Sequence, residues 1–435
     1  MNYFTQKISA SLIFVLLTSL LFALPASAEE AITGVTETMS DENAQKIFDL
    51  AMEERNSGKV YDAIEKFEYI LSRRPSLNRA RLELAVSYHR ANQFDQALRE
   101  FQTVLDDPAT PEKVRLAILA YLGQLTSDEL KPQTESSFSY YTKVGALYNS
   151  NINFAPLRGT DTIPDGEDTA SPGLDTFLSA SHRYKDNKPF NVAGAATNFE
   201  WQSQISWTGN NYTRNSDFSL NIISASTGPA FISTGRWNGA ISLQVDQTYF
   251  GGSTLGTFIS LNPLISFDMG NYQAILLELS YTDNNFARPE DAGRDGNSVL
   301  AGAAYSTLLG GVDNGVEAGF RLTNQNADDD QFGYTSSEIY FGGFMSFAET
   351  SNLYLNLNFE DYQYDAEDQL ASTPPTTRNE IESRYVLGYN YNFESGFLQG
   401  WLLDAHVSYT RNNSNIDFYN YERKIIAINL ARYFI

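Results

Sequence analysis

The chain of 435 residues contains no cysteine. That absence excludes disulfides, thiolate metal sites, a catalytic thiol and the lipidated N-terminal cysteine of a bacterial lipoprotein. Histidine is scarce too: His89, His182 and His406 fall on three separate elements, with neither a metal-ligand spacing nor a Ser-His-acid arrangement. Cations are outnumbered, 30 Lys and Arg against 53 Asp and Glu for a net charge of −23, and no lysine occurs between Lys188 and Lys424. Phosphate binding needs concentrated Lys and Arg, so nucleic acid is not a partner. Beyond the first 28 residues no run reaches the roughly eighteen apolar residues that a membrane-crossing helix requires. If this chain crosses a membrane, it does so with strands.

Chemistry is equally thin. The stretch "LGGVDNG" joins two strands and reads as a turn rather than a phosphate loop. The acidic stretches "DTIPDGEDTASPGLD" and "NADDDQ" lack the ligand spacing of a calcium loop. Glu278 and Glu360 could meet as a carboxylate pair, but nothing in the sequence fixes their separation. The expectation is a non-enzyme with no catalytic, cofactor-binding or metal-binding residues.

What is present falls into three parts. Residues 1–28 carry Lys7, an apolar stretch and the small-residue end Ala26-Ser27-Ala28, the pattern of a cleaved signal peptide. Over 41–131 the apolar residues recur at helical spacing, and a shift of 34 residues superposes Leu50-Ala51 on Leu84-Ala85, Ala63 on Ala97, Phe67 on Phe101 and Ile70 on Val104. A 34-residue period with Ala-x-x-x-Phe in the second helix is the tetratricopeptide signature. Two units are present, and residues 111–125 are expected to add a closing helix. The first helix of each pair faces the groove, which makes Phe48, Met52, Arg55, Arg79, Leu82, His89 and Arg90 candidate peptide-binding residues; a solvated helix face would look the same.

From 136 to 435 alternation replaces the helical period. In "NLYLNLNFED" Leu353, Leu355, Leu357 and Phe359 share one parity, and Asn356, Asn358 and Glu360 the other. About fourteen such segments follow one another, with short and long connections alternating, the short ones at "KDNKP", "STGR", "DMGN", "AETS" and "FESG". In hydrocarbon a sheet must close on itself, so the leucines should face lipid while Asn356, Asn358 and Glu360 line a lumen. A large soluble sandwich or propeller fits less well, because strands of this length would have to hide their apolar side chains between sheets. Trp201, Trp207, Trp237, Tyr249 and Tyr281 would form the interfacial girdles. The final segment "KIIAINLARYFI" keeps the ladder except at Arg432. The fold class is therefore α+β multidomain: a short α-helical tetratricopeptide domain followed by a transmembrane antiparallel β-barrel of about 14 strands.

Two stretches carry a family resemblance. "YYTKVGALYNSNINFAP" (140–156) and the closing hairpin "VSYTRNNSNIDFYNYERKIIAINLARYF" are similar to the opening and closing elements of the surface lipoprotein assembly modulator (Slam) family. Asn149 stands where that family more often has Asp. The resemblance implies an outer-membrane translocator with its helical domain in the periplasm. It would deliver a cargo lipoprotein or related secreted protein to the cell surface. Its other partners would be outer-membrane lipid and, for biogenesis, the barrel-assembly machinery and periplasmic chaperones. An exopolysaccharide exporter or a general porin with a repeat scaffold are the alternatives.

Overall fold

The computed structural model describes residues 39–105, five positions between 107 and 122, and 134–157, 169–270, 272–309, 314–348, 350–369 and 374–434. The expected leader at 1–28 and most of 111–125 lie outside the described residues. Among the described residues four helices precede the strands: α1 Asp41–Asn56, α2 Val60–Arg73, α3 Asn78–Arg90 and α4 Phe94–Leu105. Ser40 caps α1 by accepting the N–H of Asn43. The residues related by the 34-residue shift meet in one core, where Ala51, Ala63, Phe67, Ile70, Leu84, Ala85, Ala97, Phe101 and Val104 are at most 2% exposed. The alanines let the helices approach closely, and the phenylalanines fill the space between pairs. Leu50 is the exception at 45% exposed. Its counterpart Leu84 has a preceding helix to pack on, and α1 has none among the described residues. Ile118 joins this core, with Val114 and Leu122 packed beside it at four-residue spacing.

The strands are β1 Thr134–Asn149, β2 Ser171–Val192, β3 Ala195–Tyr212, β4 Leu220–Ser233, β5 Trp237–Phe250, β6 Ser253–Gly270 and β7 Gln273–Phe286. They continue as β8 Gly296–Leu308, β9 Asn314–Ala327, β10 Tyr334–Ala348, β11 Ser351–Asp368, β12 Thr376–Asn392, β13 Leu402–Ser414 and β14 Tyr421–Phe434. Sequence neighbours pair antiparallel, and β1 closes on β14, with Tyr140 opposite Phe434 and Asn149 opposite Ile425. An even strand number brings the start of β1 and the end of β14 to the same rim, here called the module rim; the opposite one is the far rim.

Two details differ from the sequence reading. "KDNKP" is not the second turn: β2 continues to Val192, and the register shift between Asp186 and Phe190 makes a bulge that holds Pro189. Proline has no N–H to give a ladder, and a bulge tolerates it. The alternation of short and long connections also breaks twice. On the far rim β5 and β6 are joined by Gly251 and Gly252 alone, both at positive φ (60° and 79°), which permits a two-residue hairpin. On the module rim residues 393–401 form a longer loop, closed by the N–H of Phe393 on the Trp401 carbonyl and the N–H of Gly400 on that of Phe393.

Register decides the faces. Phe320, Leu322, Ile339, Leu355, Leu387, Val407 and Ile428 point outward and are each more than 40% exposed. Glu278, Arg321, Glu338 and Glu360 point inward and border a common cavity. An apolar exterior around a charged interior reverses the water-soluble pattern and matches a hydrocarbon solvent. Arg432 lies on the outer face but at the end of its strand, its guanidinium 5.1 Å from the Phe434 ring and 5.8 Å from the Trp401 ring. There the charge reaches the interface instead of the hydrocarbon. We expect Leu355→Arg to impair insertion, since a mid-depth cation on the lipid face costs about 2–4 kcal/mol, whereas Asn356→Arg should insert normally. The heat-modifiable gel shift of each purified variant measures this, and equal damage would invert the face assignment.

Candidate functional site

The interior is organised by cross-strand pairs. Arg321 on β9 donates from Nε to Glu278 Oε1 on β7 at 2.6 Å and from Nη1 to Glu338 Oε2 on β10 at 3.3 Å. Reaching β7 means crossing β8, and the crossing point is Gly302, where a Cβ would lie 2.6 Å from Glu278 Oε1. The guanidinium also sits 4.5 Å from the Tyr340 ring, and that ring covers Gly319. The three sequence-assigned lumen residues lie on this same face. Asn358 donates to Glu338, Glu360 accepts from Ser336 at 2.7 Å, and Asn356 borders a second cavity with Tyr354, Glu317 and Asp404. Glu278 and Glu360, weighed as a pair, are engaged with different partners. The larger cavity, about 1100 Å3, has hydroxyl and amide side chains from β1–β7 on one side and the Arg321 cluster on the other; the second is about 630 Å3. Among the described residues no group of three or more His, Asp or Glu could hold a metal. The cluster around Arg321 was missed in the sequence, where Gly302 carried no mark that set it apart from other strand glycines.

In the helical module the candidate groove residues separate. Phe48 and Arg55 are buried, which corrects the expectation that they line an accessible groove. Phe48 packs against Phe67 edge-on at 5.5 Å, and Arg55 pairs with Glu83 Oε2 at 2.6 Å while Nη2 contacts Met52 Sδ. A buried guanidinium must be paired, so this residue ties α1 to α3. Arg79 is exposed with its guanidinium 4.5 Å from the Phe48 ring. Arg90 is exposed, and Met52, Leu82 and His89 are partly covered, His89 beside Phe94 at 5.9 Å.

The module is docked on the barrel. Tyr61 N–H donates to the Gly194 carbonyl at 2.9 Å, Thr234 Oγ1 donates to the Gly58 carbonyl at 2.8 Å, and Asn92 Nδ2 donates to the Asn187 carbonyl at 3.4 Å. Gly58 has φ 87°, and a Cβ there would collide with the Thr234 carbonyl. Asp62 lies against Gly194, and its carboxyl pKa is raised, first by burial and then by the neighbouring charge of Glu54. The turn "NSGK" was legible in the sequence as a helix connection, but nothing there marked it as an interface.

At the far rim the two motif stretches form one unit. Asn149, fully buried, accepts the Asn151 N–H at 3.0 Å and donates to the Tyr212 hydroxyl at 2.7 Å. Asn151, also fully buried, exchanges hydrogen bonds with the backbone of Ala155 and donates to the Glu422 carbonyl at 3.0 Å. Leu157 N–H reaches the Asn420 carbonyl, and Phe154 stands edge-on to Tyr421 with Arg423 4.6 Å from its ring. The Asn151 side chain thus stands in for strand backbone and prolongs the seam between β1 and β14 past the last ladder pair, while Asn149 holds Asn151 in place and ties the end of β1 to Tyr212 at the end of β3.

A closed antiparallel barrel with an apolar exterior and a charged interior is a transmembrane β-barrel of the outer-membrane type. No family model matches the chain. It is similar to a surface lipoprotein assembly modifier of Pasteurella multocida (strain Pm70), with 23% identity over 133 residues that cover 30% of this chain and 25% of that protein. The chain thus matches about a quarter of that relative's length. Among solved structures, a loop-deletion mutant of OmpT from Vibrio cholerae has 9% identity and a TM-score of 0.38, covering 70% of this chain and 100% of that one. OpdK from Pseudomonas aeruginosa, solved with vanillate, has 9% identity and a TM-score of 0.33, covering 69% and 99%. Structural likenesses this distant bear on neither strand number nor function.

Two variants should move the dock in opposite directions. Gly58→Val places a branched side chain where the Thr234 carbonyl lies and should detach the module. Asp62→Asn should tighten it at pH 7: a carboxyl with a raised pKa opposes docking when ionised, and the penalty disappears as pH falls through that pKa. Because the chain has no native thiol, a short thiol cross-linker between Asn92→Cys and Asn187→Cys reads both, with yield falling in the first variant and rising in the second. Asn151→Asp, which removes two N–H donations from a buried site, should cost about 1–3 kcal/mol, seen as accelerated amide exchange over 150–157 in the folded barrel.

Proposed function

We propose that this protein is an outer-membrane translocator whose helical module, in the periplasm, receives a cargo protein and feeds it toward the barrel lumen for delivery to the cell surface. The observation that carries this reading is the module's hydrogen-bonded seat on the β2–β3 and β4–β5 turns, beside the mouth of a polar interior. A freely tethered domain would not need a glycine at the contact. The similarity to part of a surface lipoprotein assembly modifier supports a lipoprotein or related secreted protein as cargo. Arg79, Arg90, Met52, Leu82 and His89 are the groove residues still accessible for it, and arginines beside apolar side chains suit an extended or acidic segment. Phe48 and Arg55 would shape that groove from beneath. Inside the barrel, paired charges and hydroxyls offer a hydrated route for polypeptide backbone through hydrocarbon. Barrel-assembly machinery and periplasmic chaperones would serve biogenesis.

The larger cavity favours a second reading, a general porin with a scaffold domain. Protease shaving of intact cells separates the two. For a translocator, deleting the chain should remove one or a few specific proteins from the surface and leave them inside the outer membrane. An unchanged set of surface peptides, together with steady conductance of the purified chain in a planar bilayer, would establish the porin instead.

A further inference from the structure

The two edges of the barrel seam are unequal at the module rim. The ladder between β1 and β14 ends at Tyr140 opposite Phe434. β1 begins six residues earlier, and Thr134–Ser139 pair with β2 alone, from Thr134 opposite Asp186 to Ser139 opposite Ser181. Among the described residues no strand faces their other edge. β2 in turn overhangs β1, and the β2–β3 hairpin that rises from it is the one that meets Asn92 and Tyr61 of the module. The overhangs therefore form a staircase from the seam to the docked helices. Ser137, Phe138 and Ser139 on its lowest step also border the cavity of about 1100 Å3.

We propose that the free edge of Thr134–Ser139 captures an extended segment of the cargo polypeptide by strand addition, prolonging the line of β14 at the point where the module hands over to the lumen. This rests on the translocator reading above. A strand edge presents alternating N–H and C=O groups that only an extended backbone satisfies in series, which fixes the class of ligand. Continuity with the existing β1–β14 ladder fixes its place. The side chains fix its tolerance: inward Ser137 and Ser139 are small hydroxyls that accommodate varied neighbours, while outward Phe138, 57% exposed and tilted against His182 at 4.6 Å, offers one apolar contact. Ser136 Oγ lies 2.7 Å from the same imidazole, which holds the Phe138 side of the edge in place. Recognition through backbone suits a protein that must accept a stretch of chain before it folds.

The test is amide hydrogen exchange on the full chain in lipid nanodiscs, comparing residues 134–139 with the paired residues 140–149. The probes are a ten-residue peptide alternating Ser and Val and the same peptide N-methylated at every residue, which leaves neither of its edges able to donate. Without peptide, about half of the amides over 134–139 should exchange quickly; the plain peptide should slow these by about tenfold or more, and the methylated one should leave them unchanged. Full protection without peptide would show that the chain's own segment covers the edge and would overturn the proposal. So would equal protection by both peptides, which marks side-chain binding, or no protection by either. Because the readout involves no transport, a protected edge in a protein that leaves the cell-surface proteins unchanged would refute the translocator reading, and an unprotected edge in a working translocator would refute strand capture alone.

Discussion

Every backbone N–H and C=O that enters hydrocarbon needs a partner, and a sheet can supply all of them only by closing. Most of this molecule follows from that requirement. Closure with antiparallel neighbours demands an even strand number, which places the start of β1 and the end of β14 on one rim, the rim whose β2–β3 and β4–β5 turns seat the helical module. Closure also assigns a solvent to each parity of every strand. Leu355 and Asn356 are adjacent residues with opposite requirements, and the same holds for Phe320 and Arg321.

The interior must then reconcile charge with a confined volume. Arg321 does this by joining two glutamates on strands to either side, which is possible because Gly302 leaves the intervening strand bare at the crossing. Tyr340 over Gly319 and Tyr354 over Gly388 repeat the device with rings in place of ions. Glycine in a strand ordinarily weakens it. In these positions it makes room for a neighbour's side chain, and the lumen wall gains cross-strand contacts that the ladder alone does not provide.

Periodicity made the broad plan legible. Alternation in "NLYLNLNFED" separates two faces because a half-solvated strand has no other way to satisfy two solvents, and the 34-residue shift marks residues that, Leu50 apart, share one buried helical core. Local reading failed where a tertiary partner decides. Phe48 and Arg55 sit at groove-facing positions of α1, yet α3 comes close enough to bury both, with Glu83 available to pair the guanidinium. "KDNKP" has the composition of a turn but lies in a bulge, because the hairpin extends past the rim to reach the module. Gly58 and Gly194 are ordinary turn glycines until the surfaces they bring together are known.

The seam shows why the two rims have different roles. At the far rim the Asn151 side chain continues the β1–β14 contact with Asn149 holding it in place, and Phe154 lies edge-on to Tyr421 with the Arg423 guanidinium over its ring. Buried amides with several backbone partners resist opening, since separating them would leave donors and acceptors unpaired in a site without water. At the module rim the ladder ends, among the described residues, at Tyr140 and Phe434, and β1 continues toward the docked helices paired with β2 only. A barrel sealed more firmly at one end of its seam than at the other has a direction built into its closure. The unsealed end is the one where helices, strand overhang and lumen cavity converge.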